Sequence, residues 1–269
     1  MIDLHCHILY GIDDGAQFLS ESIRMAGMAQ RDGIEKIVAT PHLYKKGMDM
    51  AHFSLISHRI DELTRALNEQ NINIELFPGA EVHISHDLID QIELHRDKLV
   101  INHGSYLLIE FPSDHIYARV KELFFDIMSE RIVPIIAHAE RNTVFIQHPE
   151  ILYDLISMGA CVQSNSGSFT GLYGSKVQKA SFRFLMWKFV HFVGTDGHNT
   201  MSYSPRLSEA YAKVEAVSGE KAARAIFHDN AEAVLENTHL PYCPEPVNPI
   251  HDRKSMKIRF PSLSSFFKK

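Results

Sequence analysis

The stretch Met1-Ile2-Asp3-Leu4-His5-Cys6-His7 decides how the rest of the chain is read. Apolar Ile2 and Leu4 alternate with Asp3 and His5, which predicts a short strand with histidines at its far end. Side chains two apart on a strand share a face, so His5 and His7 present two imidazoles to one point. Neutral imidazoles arranged in this way suit a divalent metal. Cys6, between them, faces the other side and reads as a small buried core residue. The pair alone is a weak signal in a chain with 17 histidines. Further ligands must come from elsewhere.

Strand-like and helix-like runs alternate along the chain. Ser20 is the expected N-cap of a helix closed by Gly33, and 34–40 reads as a buried strand ending at Pro41-His42. Helical patterning over 52–70 precedes a strand at 72–77, then Pro78-Gly79-Ala80-Glu81. Strands are predicted at 106–111, carrying Glu110, at 132–137, followed by His138-Ala139-Glu140-Arg141, at 161–164, and at 189–193, followed by Gly194-Thr195-Asp196-Gly197-His198-Asn199. Helices are expected near 86–94, 116–130, 175–188, 206–217 and 219–236, with Pro149 opening another that Gly159 closes. Seven strand-like runs separated by helices predict parallel pairing with crossover connections, in a barrel or an open sheet. The polar residues favour the barrel. His7, His42, Glu81, Glu110, His138, Asp196 and His198 fall at or just past the C-terminal ends of separate strands, the rim where βα-barrels build their sites.

The bulk numbers exclude several classes. At 269 residues with 45% hydrophobic and 22% charged residues, the composition is that of a soluble globular protein. There is no apolar run long enough to span a bilayer and no signal-peptide pattern at the N-terminus, which gives a cytoplasmic expectation. Cys6, Cys161 and Cys243 form no disulfide framework, and the positions six residues after them are Ile12, Gly167 and Pro249. The arginine of a cysteine-nucleophile phosphatase is therefore missing. Six basic residues against Asp252 give +5 over 251–269, leaving −11 for the body of a chain whose net charge is −6. Such a body is a poor nucleic-acid binder. Residues 1–240 read as one domain. Residues 241–269 read as a Pro-rich linker and a basic, aromatic tail, either packed on the body or touching an anionic membrane or a partner.

His5, His7, Asp14, His42, Glu81, Glu110, His138, Asp196 and His198 form the inventory at the proposed rim. So many imidazoles and carboxylates cannot share a pocket unless cations offset their charge and desolvation. Nine donors with one bridging carboxylate suit three divalent ions, and the absence of thiolate points to manganese, iron or zinc.

His-Cys-His at the start, Asp13-Asp14-Gly15, Thr40-Pro41-His42, Gly79-Ala80-Glu81, Glu110, His138-Ala139-Glu140-Arg141 and Asp196-Gly197-His198-Asn199 together resemble the polymerase-and-histidinol-phosphatase (PHP) superfamily. Within it the chain is similar to the bacterial PHP-type protein tyrosine phosphatases of capsule and exopolysaccharide clusters, from residue 1 to about 237, including Asp229-Asn230-Ala231. The resemblance implies a distorted seven-stranded (β/α)7 barrel with a trinuclear, manganese-type site at the C-terminal ends of the strands. It implies one ion on His5, His7, Glu81 and Asp196, a second on Glu81, Glu110 and His138, and a third on Asp14, His42 and His198. Asp13 is the neighbouring candidate for the role of Asp14. Arg141 and Arg206 match the family's phosphate-binding arginines, and Asp196 and His198 are candidates for assisting the leaving group.

The expected activity is metal-dependent hydrolysis of phosphotyrosine on the tail of a membrane tyrosine autokinase that controls polysaccharide synthesis and export. The alternative is a small-molecule phosphatase of the same superfamily, such as one acting on histidinol phosphate. Leu43-Tyr44-Lys45-Lys46 departs from the more arginine-rich loop of relatives, and Tyr44 and Phe169 either stack on an aryl ring or pack. Both a dimer and a larger ring are compatible with this expectation.

Overall fold

The computed structural model describes residues 1–44 and 53–252. The expectations for Lys45, Lys46 and the tail beyond Asp252 lie outside these residues. The first strand, β1 (Ile2–Cys6), pairs with β2 (Lys36–Ala39), and β2 with β4 (Glu75–Pro78). The second group runs from β3 (His42–Leu43) through β5 (Glu81–His83), β6 (Tyr106–Glu110), β7 (Val133–Ile136) and β8 (Cys161–Asn165) to β9 (Phe192–Gly194). Every pairing is parallel, as crossover helices require.

Among the described residues nine strand segments stand where the sequence predicts seven runs, because pairing resumes just past the ends of two of them, as β3 and β5. Pro41 has no N–H for a ladder and separates β2 from β3. Gly79 separates β4 from β5 at a close crossing, where a Cβ would lie 2.7 Å from Val38 Cγ1. The two sheets are thereby continuous through the chain, and the whole is a curled parallel α/β sheet. Its outermost strands meet: Asp196 N–H donates to the His5 carbonyl at 2.8 Å and His7 N–H to the Gly197 carbonyl at 2.9 Å.

Alternate residues face opposite ways, as the pleat dictates. Leu107, Ile109 and Ile136 join the helix residues Leu63, Phe124 and Leu152 in the larger apolar core. Leu4, Val38, Leu108, Ile135 and Phe192 form an inner core with Ala231 and Val234 from the last long helical segment. The helix expected to begin at Ser20 spans Leu19–Arg31 with Phe18 as N-cap and no capping side chain. Glu21 accepts the N–H of Gln17 at 3.1 Å and so ties the chain just before the helix to its first turn. Pro149 does open a helix, Pro149–Met158, and Gly159 ends it at φ +120°, a backbone angle that disfavours other residues. Past Leu240, Asn230 binds both backbone groups of Tyr242, and Val247 N–H donates to the Trp187 carbonyl at 2.9 Å, so this stretch follows the body closely. Among the described residues, no helix is long and apolar enough to cross a membrane.

Candidate metal centre

The register of the strands assembles the site. His42 pairs with Glu81 across β3 and β5, and His83 with Glu110 across β5 and β6, so these four side chains arrive as neighbours. The β1–β2 register slips between Asp3 and Cys6, a bulge of the kind that re-aims a side chain, and Asp3 Oδ1 accepts the His5 N–H at 3.3 Å. Cys6 is buried, with its thiol 3.5 Å from the Gly197 carbonyl, as its alternation with the histidines predicts. His138 (φ 33°) and Asp196 (φ 54°) both occupy the left-handed region, which strains residues other than glycine and concentrates at functional sites.

The nine expected donors converge. Glu81 Oε2 lies 2.8 Å from His42 Nδ1, 3.3 Å from His7 Nε2 and 3.4 Å from His5 Nε2, while Glu81 Oε1 meets His138 Nε2 at 2.8 Å. Asp196 Oδ1 stands 3.4 to 3.5 Å from nitrogens of His5, His7 and His198. Asp14 Oδ1 is 3.4 Å from His198 Nε2 and 3.5 Å from His42 Nε2. Three overlapping groups have ligand atoms mutually within 4.8 Å: His5, His7 and Glu81; His42, Glu81 and Glu110; and His7, Asp14, His42 and His198. Glu81 is common to two of them. His138 joins the cluster through Glu81 and lies outside the three groups, while His42 enters two.

The hydrogen bonds fix which nitrogens carry protons. The amide of Gln163 donates to the Ser164 carbonyl and to Asn165 Oδ1, which turns its Oε1 towards His5 Nδ1 (3.1 Å) and the His138 N–H. His5 Nδ1 is therefore the protonated nitrogen. His7 Nδ1 faces the Asp13 carboxylate at 2.7 Å and is protonated for the same reason. In their neutral form His5 and His7 thus aim two Nε2 lone pairs at each other across 3.1 Å, with carboxylate oxygens alongside. Divalent cations fit that donor set, and the outer partners are those that orient metal-ligating imidazoles.

Without a cation, the surrounding carboxylates favour protonated rings. Burial disfavours charge at His5, yet Glu81 and Asp196 overcome it and raise its pKa to about 9. Burial likewise acts against the Glu81 and Asp196 carboxylates, but the imidazoles around them hold both well below the usual range. Asp14 is held low by its hydrogen bond to His198.

Arg141 stands at the rim. Its Nη1 donates to Asp196 Oδ2 at 2.7 Å, its guanidinium lies 4.5 Å over the Tyr173 ring, and its side chain stays 38% exposed. Arg206 is exposed and lines a cavity of about 280 Å³ with Asp32, Thr195 and Tyr203. Phe169 is fully buried against Phe182 and packs in the core, and Tyr44 is partly buried against the same core. Sequence reasoning passed over Gln163 and Asn165, whose Nδ2 donates to Asp196 Oδ2 at 2.7 Å. Two amides spaced two apart on a strand, and so on one face of it, were the available signal.

A curled parallel α/β sheet with imidazole and carboxylate donors gathered at its strand ends defines a metal-site hydrolase scaffold. The chain belongs to the capsular polysaccharide synthesis CpsB/CapC family, whose model matches residues 1–236. It is 35% identical over 254 residues to the tyrosine-protein phosphatase YwqE of Bacillus subtilis, covering 94% of this chain and 98% of that one. It is 30% identical over 240 residues to the tyrosine-protein phosphatase CpsB of Streptococcus pneumoniae, covering 87% and 98% respectively. A solved chain from the crystal structures of those two proteins, described as unique metal-dependent tyrosine phosphatases, superposes with a TM-score of 0.87 at 35% identity, over 92% of this chain and 99% of that one.

Proposed function

We propose that this protein is a metal-dependent phosphotyrosine-protein phosphatase acting on the tyrosine-rich tail of a membrane autokinase in polysaccharide synthesis. The observation that carries the reading is the pair of Nε2 lone pairs of His5 and His7, 3.1 Å apart within a cluster whose edge is bordered by Arg141. The family and its phosphatase relatives support the reaction, and the capsule context supports the kinase partner. Reading β2 with β3, and β4 with β5, as one strand each, with the β1 and β9 ends bonded, supports the distorted seven-stranded barrel.

The overlapping donor groups support three ions, with Glu81 shared, Asp196 completing the His5–His7 set, and His138 oriented on Glu81. Manganese is the first choice, with iron and zinc as alternatives. Divalent ions held there supply Lewis acidity and lower the pKa of a coordinated water towards neutrality. Gln163 and Asp13 hold His5 and His7 in the tautomer that offers Nε2. Arg141, anchored on Asp196, offers its accessible N–H donors to the phosphoryl oxygens as charge builds there. A phenol leaves with a pKa of about 10, so an aryl phosphate makes little demand on a general acid. Asp196 and His198 remain candidates for any such assistance, and Arg206 for a wider grip on the phosphopeptide.

Hydrolysis of a phosphotyrosine peptide tests the reading. Activity should vanish on chelation and in His5→Ala, and fall about a hundredfold or more in Arg141→Ala. Activity undiminished through all three overturns the assignment.

A further inference from the structure

The metal cluster leaves Tyr173, Tyr203 and Asn199 unexplained. The rings of Tyr173 and Tyr203 lie nearly parallel, with centroids 6.0 Å apart at 24°. Tyr173 carries the Arg141 guanidinium over its face, and Tyr203 meets the His198 ring edge-on at 6.4 Å. One aromatic wall therefore runs between the arginine and the edge of the cluster. The wall is held in place. Asn199 Oδ1 accepts the N–H groups of Met201 (2.9 Å) and Tyr203 (3.2 Å), and the Tyr203 carbonyl accepts the N–H of His198 at 2.8 Å. Asn165 Nδ2 reaches the Tyr173 hydroxyl at 3.4 Å. Tyr203 is nonetheless 43% exposed.

An exposed aromatic ring whose backbone is already fixed offers apolar contact with little further ordering on binding. Rings 6.0 Å apart leave no room for a third between them, so an incoming ring meets the exposed Tyr203 from outside the pair. Arg141 and Tyr203 both adjoin Tyr173, the guanidinium 4.5 Å and the second ring 6.0 Å from its centroid, so one ligand lying along this wall can present its phosphoryl group to the arginine and its ring to Tyr203.

We propose that Tyr203, backed by Tyr173, is the specificity-determining surface for the substrate's aromatic ring and selects aryl over alkyl phosphates. The inference rests on the phosphatase reading and assigns the discrimination to this pair rather than to Tyr44 or Phe169.

Two measurements separate the two ideas. Calorimetric titration of the metal-loaded protein with phenylphosphonate and methylphosphonate reads ring recognition without turnover, and phosphotyrosine-peptide kinetics read the reaction. Wild-type protein should bind phenylphosphonate more tightly than methylphosphonate. Tyr203→Ala should cut that preference about three- to tenfold and raise KM for the peptide more than it lowers kcat, while Tyr203→Phe should keep the preference. Equal loss for both phosphonates in Tyr203→Ala, or an unchanged preference, overturns the proposal. A wild-type protein that prefers phenylphosphonate yet hydrolyses no phosphotyrosine peptide overturns the phosphatase reading instead.

Discussion

His5 Nε2 and His7 Nε2 face each other at 3.1 Å, each ring being held from behind, His5 by Gln163 and His7 by Asp13. Without a cation, protons are the simplest relief, and the His5 pKa of about 9 expresses this under the pull of Glu81 and Asp196. Metal ligation requires the neutral ring, so loading near pH 7 has to expel protons. Calorimetry of manganese binding in buffers of different ionisation enthalpy should show net release of at least one proton per protein. Buffer-independent heats mean that the imidazoles are already neutral, which removes the electrostatic half of the site assignment.

Asp13 is not in the three ligand groups, yet its carboxylate binds His7 Nδ1 and accepts the N–H groups of Gly15 (2.9 Å) and His42 (3.1 Å). Asp13→Asn keeps the shape but removes the charge that fixes the His7 tautomer. Partners of this kind are worth about 10- to 100-fold in metal affinity. Competition with a chromophoric chelator should show a loss in that range with the fold retained by circular dichroism. A change within threefold would make Asp13 a spectator.

Asp14 falls within one of the three donor groups while Asp13 lies outside them and backs His7, a division the sequence could not make on its own. Strand ends carrying His42, Glu81, Glu110 and His138 were legible because hydrophobic runs stop at those residues and parallel strands bring such stops to one rim. Pro41 and Gly79 were visible as the ends of runs, but the resumed pairing at His42–Leu43 and Glu81–His83 was not, since a neighbouring strand decides whether a ladder resumes. Phe169 and Tyr203 show the complementary failure. Nothing local tells a buried ring from an exposed one, and Phe169 is fully buried while Tyr203 faces solvent beside His198. Asn165 and Gln163 escaped because an amide has no titration or metal signature, although each fixes a side chain of the cluster.

Gly15 passes so close to His7 that a Cβ there would lie 2.6 Å from His7 Cβ and would also strike the His7 carbonyl. That carbonyl accepts the N–H of Ala16 at 3.2 Å, so the backbone has little freedom to retreat. Gly15→Ala has to push the 13–15 turn outwards, carrying Asp13 away from His7 and Asp14 from His198. The expected destabilisation is about 1–3 kcal/mol, together with a loss of metal affinity larger than that of Asp13→Asn. Urea unfolding and metal analysis on the same preparation check both, and wild-type behaviour in both would show that the turn yields without disturbing the site.

His191 carries a pH dependence separate from the metal site. It is buried, its Nδ1 accepts the N–H of Val162 at 3.1 Å, and among the described residues its buried Nε2 has no hydrogen-bond partner. Burial lowers its pKa to about 4 from the ordinary value of 6.5. Between those values the unfolded chain binds a proton that the native state refuses, so stability rises with pH across the window. The contribution is fully present above about pH 6.5 and is lost as pH falls towards 4, amounting to roughly 3 kcal/mol over the whole window. His191→Asn can still accept from Val162 but does not titrate there. Between pH 7 and pH 5, with chelator present, urea unfolding should show the wild-type protein losing about 2 kcal/mol more than the variant. Parallel losses in the two proteins would mean that His191 takes up its proton within the fold, and that solvent or a local opening reaches a ring the packing otherwise seals.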